Sequence, residues 1–170
     1  MSALFRLDQT IAAVTGACGK LGPIWVEGLL EAGARVAALD LPSASPSAAY
    51  AGLAANAGDR LVRVDCDITN RDSIERAADT IASTFGGAAT VLVNNAGVFA
   101  GASFAELAVA EFDRIVAANL RSAFLVTRAF LPGMRRRGRG DVFIMSSIAG
   151  LGAYPNGAAY CAAKIGRAHV

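Results

Sequence analysis

Five short apolar runs alternate with longer segments of helical periodicity along the 170 residues of the chain. Runs that are apolar throughout, rather than alternating with polar residues, are typical of strands in a parallel sheet covered by helices on both faces. We expect strands at residues 10–15, 35–40, 61–64, 90–93 and 141–145. Because strand and helix follow each other in turn, the sequence predicts an α/β fold with a doubly wound parallel sheet, truncated after the fifth strand.

The helical segments lie between these runs and have recognisable ends. Gly33 is a plausible C-cap for the first helix, and Asn70 followed by Asp72 is a good N-terminal signal for the third. Residues 42–58 are rich in Ser, Ala and Pro, which indicates a loop followed by a short helix. We expect the other helices at residues 21–32, 70–85, 108–131 with an end near Pro132, and from about Gly157 onward.

Composition excludes several classes of protein. Hydrophobic residues make up 54% and charged residues 18%, which is enough for one domain with a large core. A net charge of +2 gives no reason to expect a nucleic-acid partner. The N-terminus has no long apolar region, and no run approaches the roughly eighteen apolar residues of a membrane helix, so we expect no membrane partner.

The histidine and cysteine content argues against metal and nucleophile chemistry. His169 is the single histidine, and Cys18, Cys66 and Cys161 have no CxxC spacing. We therefore expect no metal site, and no Ser-His-Asp triad. An odd, scattered set of cysteines fits a reduced, cytoplasmic protein better than a disulfide framework.

A glycine-rich turn follows the first strand and opens the first helix. Glycines let the backbone turn tightly and approach a pyrophosphate, and the helix N-terminus supplies free N–H groups. Many glycine turns bind nothing, but the strand–turn–helix context favours a dinucleotide site. The candidate cofactor-binding residues of this turn are Gly16, Cys18, Gly19, Lys20, Leu21 and Gly22.

Asp40 ends the second predicted strand, roughly twenty residues after the turn. A carboxylate there can hydrogen-bond the adenosine ribose hydroxyls and repels the 2′-phosphate of NADP, so NAD is favoured. Two observations leave alternatives open. The aspartate could merely cap the next turn, and Lys20 is a cation that could attract the 2′-phosphate.

Further segments follow in a fixed order. The chain contains Asp67-Ile68-Thr69, then Asn94-Asn95-Ala96-Gly97, Asn119 within Ala-Asn-Leu, Ser147 within Met-Ser-Ser-Ile-Ala-Gly, and Tyr160-Cys-Ala-Ala-Lys164. Each segment alone is weak, but the ordered set, with Ser147 thirteen residues before Tyr160, is strong. The sequence resembles the short-chain dehydrogenase/reductase family over nearly its whole length. That resemblance implies a Rossmann-like fold, with Asp67, Ile68, Asn95, Ala96, Gly97, Tyr160 and Lys164 also binding the cofactor.

The resemblance also implies an oxidoreductase that transfers a hydride between NAD(P) and an alcohol or ketone. Tyr160 is the expected acid/base, and Lys164, four residues later on the same helical face, is expected to lower its pKa from the usual value of about 10. Ser147 is expected to hydrogen-bond the substrate oxygen, and Asn119 to support a water-linked proton path. Family members form homodimers or homotetramers, so a similar assembly is expected.

Two alternatives remain at this stage. The spacing Thr-Gly-x-x-Gly-x-x-Gly, with Gly19 as its middle glycine and Lys20 where the common pattern has glycine, resembles the extended branch of sugar-nucleotide epimerases and dehydratases. A non-catalytic dinucleotide-binding module is the other alternative. The presence of all four candidate catalytic residues argues against such a module.

The C-terminal end of the sequence suggests a short tail of different origin from the rest of the chain. Residues 165–170 match the translation of ATCGGAAGAGCACACGTC, a common sequencing adapter, so we expect an artefactual tail after a domain of residues 1–164. The tail would include His169, and Lys164 is then supported by its motif more than by independent sequence. We expect the domain to be incomplete at its C-terminus, and the chain by itself to be inactive and poorly soluble.

Overall fold

Five parallel strands form one sheet in the computed structural model, which describes residues 6–152 and 154–169. The first five residues of the expected domain and Val170 of the expected tail lie outside the described residues. The strands are β1 (Ile11–Thr15), β2 (Arg35–Asp40), β3 (Leu61–Asp65), β4 (Val91–Asn94) and β5 (Asp141–Ile144). Their spatial order is β3-β2-β1-β4-β5, which confirms the predicted doubly wound α/β fold.

The strand order reverses between β1 and β4. Ala12 pairs with Val36 of β2 on one side and with Val91 of β4 on the other. The chain runs outward from β1 to β3 and then returns to start β4 beside β1. In such sheets the loops at the carboxyl ends of the two central strands diverge and leave a crevice, which is where ligands bind.

The prediction of strands covered on both faces is correct for the centre of the sheet and wrong for its edge. β1 and β4 are buried at every position, as are the four inner residues of β2. In β5, however, Val142 is 38% exposed and Phe143 48% exposed. Among the described residues β5 has a neighbouring strand on one side only, so its apolar sequence does not guarantee burial.

Helices lie at the five predicted positions over the described residues, the fourth of them in two parts. They are α1 (Gly22–Glu31), α2 (Ala48–Ala57), α3 (Arg71–Phe85), α4 (Val109–Val116), α5 (Ser122–Arg136) and α6 (Ala158–Arg167). The predicted caps are present too. The Asn70 side chain accepts a hydrogen bond from the Ser73 N–H, and Gly33, at φ +99°, donates its N–H to the Leu30 carbonyl.

The expected end of the long helix near Pro132 is wrong. The helix runs from α4 through a π-helical turn, Ala117–Arg121, into α5, and it continues past Pro132 to Arg136. A proline inside a helix costs about 3 kcal/mol. Phe130 and Met134 are both buried in the core below this segment, and each contributes about 1.5–3 kcal/mol. Tertiary packing therefore outweighs the local stop signal.

Two apolar clusters cover the two faces of the sheet, and β1 contributes to both in alternation. Ile11 and Ala13 join α3 and α5 on one face, while Ala12 and Val14 join α1 and α2 on the other. This packing fixes the carboxyl ends of β1 and β4 relative to each other. Within residues 6–152 and 154–169, none of the helices combines the length and apolar character that a membrane crossing requires.

Candidate active site

A cavity of about 670 Å³ lies at the carboxyl ends of the strands, where the strand order reverses. Most of the predicted cofactor-binding residues line it: Gly16, Gly19, Lys20, Leu21, Asp40, Asp67, Ile68, Asn95, Ala96 and Gly97. Cys18 and Gly22 are buried behind this lining, and Tyr160 and Lys164 lie outside it. The structure thus brings together segments that are far apart in the sequence.

The glycine turn is held by close backbone contacts. Gly16 has φ +64°, and a Cβ there would lie 2.9 Å from the Ala96 Cα. A Cβ on Gly22 would lie 2.3 Å from the Gly16 carbonyl oxygen. At Gly19 the nearest atom to such a Cβ is the Gly16 oxygen at 3.4 Å, an ordinary contact. Protein packing therefore demands glycine at positions 16 and 22, but not at 19.

A polar clamp joins the turn to the segment that follows β4. The Thr15 hydroxyl oxygen accepts hydrogen bonds from the N–H groups of Asn95 and Ala96, each at 3.1 Å. The Asn95 side-chain amide donates to the Thr15 carbonyl at 2.9 Å. Thr15 was not among the candidates predicted from the sequence, although it is the first residue of the glycine motif. Its role in the fold is to fix the spacing between the two loops.

The Asp40 carboxylate is fixed at the cavity by two backbone donors. Oδ2 accepts from the Cys18 N–H and Oδ1 from the Leu41 N–H, both at 2.9 Å. Burial, and then the nearby Asp40 carboxylate, raise the pKa of the Cys18 thiol. Cys18 is thus a protonated, buried side chain that contributes its backbone to the turn.

Arg114 also lines the cavity and was missed by sequence reasoning. It lies on α4, where its guanidinium donates two hydrogen bonds to Glu111, both at 2.7 Å. An Arg three residues after a Glu on a helix is an ordinary surface pair. Its proximity to the cavity depends on how α4 packs, so the sequence carries no signal for it.

Tyr160 and Lys164 lie one turn apart on α6, as their spacing predicts. The Lys164 Nζ is 5.4 Å from the centroid of the Tyr160 ring, and it donates a hydrogen bond to the Met145 carbonyl at 2.9 Å. Lys164 is 4% exposed, whereas Tyr160 is half-buried. The ammonium group is therefore held behind the tyrosine ring.

The turn that carries Ser147 is attached to the same helix. The neighbouring Ser146 hydroxyl donates to the Lys164 carbonyl at 2.8 Å, and a Cβ on Gly150 would lie 2.9 Å from that carbonyl oxygen. Ser147 itself is half-buried, and its hydroxyl accepts from the Ala149 N–H at 3.2 Å. None of the described residues accepts its hydroxyl proton, which can therefore donate to a ligand.

Asn119 lies in the π-helical turn and holds the loop after β4. Its side-chain amide donates to the carbonyls of Val98 and Ile115, and its oxygen accepts from the Val98 N–H. A Cβ on Gly97 would lie 2.6 Å from the Asn119 oxygen and 3.7 Å from the Lys164 Nζ. Glycine at position 97 is thus what lets the Asn119 oxygen lie close against this loop. The expected proton path through Asn119 stays a prediction.

Burial gives Lys164 a distinctive pH dependence. Desolvation, and then repulsion from Arg167, lower the pKa of Lys164 from 10.5 to about 8. Between these values the unfolded chain binds more protons than the folded one, so stability rises with pH. We expect urea denaturation of the cofactor-free protein to show a rise between pH 7.5 and pH 9.5, toward a limit of about 3 kcal/mol above pH 10.

The chain's other lysine supplies the control for this prediction. Lys164→Met should remove the rise with pH, because methionine has no proton to lose. Lys20→Met should retain it, since Lys20 is exposed. Equal slopes in the unmodified protein and in Lys164→Met would contradict the assignment of this titration to Lys164.

Arg167 is buried behind the loop after β4. Its guanidinium donates to the carbonyls of Asn94 and Ala96, but its Nε has no hydrogen-bond partner among the described residues. Burial lowers the pKa of Arg167 to about 10. A buried arginine without a carboxylate partner is costly. The artefactual origin of residues 165–170 remains our prediction, and the parent gene beyond the Lys164 codon tests it.

Over residues 6–152 and 154–169, the structure has no group of three His, Cys, Asp or Glu side chains that could hold a metal ion.

Comparison with known proteins gives a consistent set of relatives. The family described as short chain dehydrogenase matches residues 10–170. D-threitol dehydrogenase of Mycolicibacterium smegmatis is 37% identical over 95% of this chain and 62% of its own length. 2-(S)-hydroxypropyl-CoM dehydrogenase 3 of Xanthobacter autotrophicus is 35% identical over 94% of this chain and 62% of its own length.

A solved structure shows the same arrangement. The crystal structure of levodione reductase superposes with a TM-score of 0.87 at 27% identity, covering 96% of this chain and 64% of that one. The chain therefore spans a little under two thirds of the length of the relatives it matches.

Proposed function

The chain belongs to the short-chain dehydrogenase family, and on that premise we propose that the whole protein is an NAD-dependent oxidoreductase acting on an alcohol or ketone. One observation carries the proposal. The Lys164 ammonium lies behind the Tyr160 ring, on the same helix. That helix is hydrogen-bonded to the turn that carries Ser147, and it lies beside the cavity formed by the glycine turn. This is an acid/base group with a hydrogen-bond donor next to a dinucleotide-sized space.

The residues of the cavity fit a nicotinamide dinucleotide. The glycine turn gives backbone access at Gly19, which lines the cavity and has no side chain. Gly22 begins α1, whose positive dipole end suits a pyrophosphate. Asp40 presents a carboxylate at one end of the cavity for ribose hydroxyls, and Ile68 supplies an apolar side chain there for the adenine. The bound cofactor would supply or accept the hydride.

Tyr160 would move the proton. In the direction of oxidation, the substrate O–H proton passes to the Tyr160 phenolate while the carbinol C–H leaves as a hydride, so that a carbonyl forms; reduction reverses both transfers. The Lys164 ammonium, 5.4 Å from the centroid of the Tyr160 ring, lies beside the group that gains or loses the proton. Ser147 donates a hydrogen bond to the substrate oxygen, where negative charge develops during reduction. Asn119 positions the loop after β4, which lines the cavity.

Turnover measured with NADH and NAD⁺ on the whole protein tests the proposal. Consumption of NADH with a panel of ketones, and its formation with the matching alcohols, is expected. Absence of turnover across ketones, alcohols and sugars, with the dinucleotide bound, would favour a binding module instead.

We further propose NAD as the cofactor, with NADP disfavoured. Because both Asp40 oxygens are fixed by backbone N–H groups, the carboxylate cannot swing away from a 2′-phosphate. We expect Asp40→Ala to shift the ratio of kcat/KM for NADH over NADPH toward NADPH by about tenfold or more, in keeping with removal of a like charge. Asp40→Arg should shift it further. The measurement is steady-state kinetics with both cofactors.

Asp65 supplies the matched control for that experiment. It pairs in register with Asp40 on the adjacent strand but is exposed. Asp65→Ala should leave the cofactor ratio unchanged. Preference for NADPH by the unmodified protein would overturn the proposal and point to Lys20 as the dominant group.

Assembly and location complete the proposal. Phe124 and Leu131 on α5 are exposed apolar side chains, which supports a homodimer or homotetramer built on this helix. The three cysteines are free and buried, which supports a cytoplasmic location. The epimerase or dehydratase alternative is not favoured, because the relatives described above are named dehydrogenases and reductases.

A further inference from the structure

An aromatic wall, formed by Phe99 and Tyr154, stands beside Tyr160. The Phe99 ring meets the Tyr160 ring edge to face, with centroids 5.3 Å apart and an interplanar angle of 88°. The centroids of the Tyr154 and Phe99 rings are 6.2 Å apart, and the two ring planes are tilted by 32° relative to each other. Phe99 is 58% exposed and Tyr154 38% exposed, so both rings have free surface next to the proposed acid/base.

The wall is held in place by contacts between its two loops. The Ala102 N–H, three residues after Phe99, donates to the Asn156 carbonyl, two residues after Tyr154, at 3.2 Å. A Cβ on Gly157 would lie 2.7 Å from the Tyr154 ring, so glycine there lets the ring lie against the start of α6. The two rings are therefore parts of one surface, packed onto the helix that carries Tyr160.

The two segments that carry the wall are uncharged. Residues 94–105 and residues 142–163 contain no Asp, Glu, Lys, Arg or His. Two further apolar side chains, Ile148 and Leu151, are 85% and 89% exposed in the turn directly after Ser147. The nearest cation on α6, Lys164, is buried with its ammonium directed to the Met145 carbonyl. An anionic group placed against the wall would find no exposed countercharge in these two segments.

We propose that the substrate is a neutral ketone or alcohol with a carbon ring beside the reacting carbon, and that this ring packs on the wall of Phe99 and Tyr154. The inference rests on the proposed function, because it places the reacting oxygen at Tyr160. A substrate oxygen bonded to the Tyr160 hydroxyl puts the adjacent carbons within reach of the exposed face of Phe99. Aromatic faces favour apolar and ring partners, and they offer little to a polyol, whose hydroxyls would lose their hydration.

Equilibrium binding to the whole protein in the presence of NAD⁺ tests the inference, since a ketone cannot be reduced when no hydride is available. The probes are 2-methylcyclohexanone, erythrulose as a polyol ketone, and acetoacetate as an anionic ketone, each titrated by calorimetry. We expect the cyclic ketone to bind at least about tenfold more tightly than either of the others. Tighter binding of erythrulose or acetoacetate would overturn the inference.

Substitution of the wall gives a second, independent measurement. Phe99→Ala should weaken the binding of the cyclic ketone by about tenfold or more. Phe104→Ala should change it by less than about twofold, because Phe104 lies in the same loop but makes none of the aromatic contacts found among the described residues. Equal effects of the two substitutions would overturn the role of the wall. If Phe99→Ala fails to fold, Phe99→Leu replaces it in the binding measurement. The comparison of the three ketones on the unmodified protein then still tests the substrate class.

Turnover with NADH separates this inference from the proposed function. Phe99-dependent binding of the cyclic ketone without any turnover would overturn the proposed function and support the binding surface. Turnover that favours the polyol or the anionic ketone would support the proposed function and overturn the substrate class.

Discussion

Replacing Tyr160 with phenylalanine is expected to reduce kcat by a factor of about 10²–10⁴ or more. This is the factor that general acid–base catalysis contributes. The substitution keeps the ring that packs edge to face on Phe99, and it removes only the hydroxyl. Without that group, the substrate proton has no partner next to the Lys164 ammonium. NAD(H) affinity should change little, since Tyr160 does not line the dinucleotide cavity.

The measurement combines steady-state kinetics with NADH binding by fluorescence titration. Tyr50→Phe is the matched control, because Tyr50 is buried in the cluster beneath α1 and α2, away from Tyr160. It should retain normal turnover. A Tyr160→Phe protein with near-normal kcat would remove Tyr160 from the mechanism.

Gly22→Ala is expected to be the most damaging change in the glycine turn. The new Cβ would lie 2.3 Å from the Gly16 oxygen, 2.5 Å from the Ala17 Cα and 2.6 Å from the Ala17 carbonyl carbon. These are all backbone atoms, so no side chain can move aside, and the start of α1 must shift. Overpacking of this kind costs about 1–3 kcal/mol, and we expect the upper end of that range. A shift of about 1 Å in the turn should also reduce kcat/KM on the order of 10²-fold.

Gly19→Ala provides the comparison for this prediction. Its Cβ meets only the Gly16 oxygen, at 3.4 Å, so the stability of the cofactor-free protein should change by less than about 0.5 kcal/mol. Because Gly19 lines the cavity, dinucleotide affinity should still fall. Urea denaturation without cofactor measures the stability difference. Equal destabilisation by the two alanines would show that the turn relaxes around either one.

The helices and strands were predictable wherever residues of the segment itself determine its structure. The apolar runs gave the positions of all five strands, and Asn70 and Gly33 gave helix ends that the structure confirms. The exception at Pro132 is instructive. The local stop signal is real, but burial of Phe130 and Met134 outweighs it. A sequence pattern indicates the secondary structure that a segment favours in isolation. It does not indicate how much free energy packing against the rest of the protein contributes.

The meeting of ten predicted cofactor-binding residues around one cavity was also predictable. These residues lie directly after strands, and the carboxyl ends of parallel strands meet at one edge of a sheet. Arg114 and the clamp of Thr15 were not predicted. Both depend on contacts between segments far apart in the chain, such as the Thr15 hydroxyl and the Asn95 N–H.

The sequence by itself determined the doubly wound sheet, the glycine turn and the family, because strand patterning and ordered motifs are read one segment at a time. Only the tertiary structure decided which side chains surround Tyr160. Phe99 follows β4 and Tyr154 precedes α6, and no pattern in either loop relates one ring to the other. Their meeting depends on how the sheet and α6 bring two loops together, which packing sets and local sequence does not.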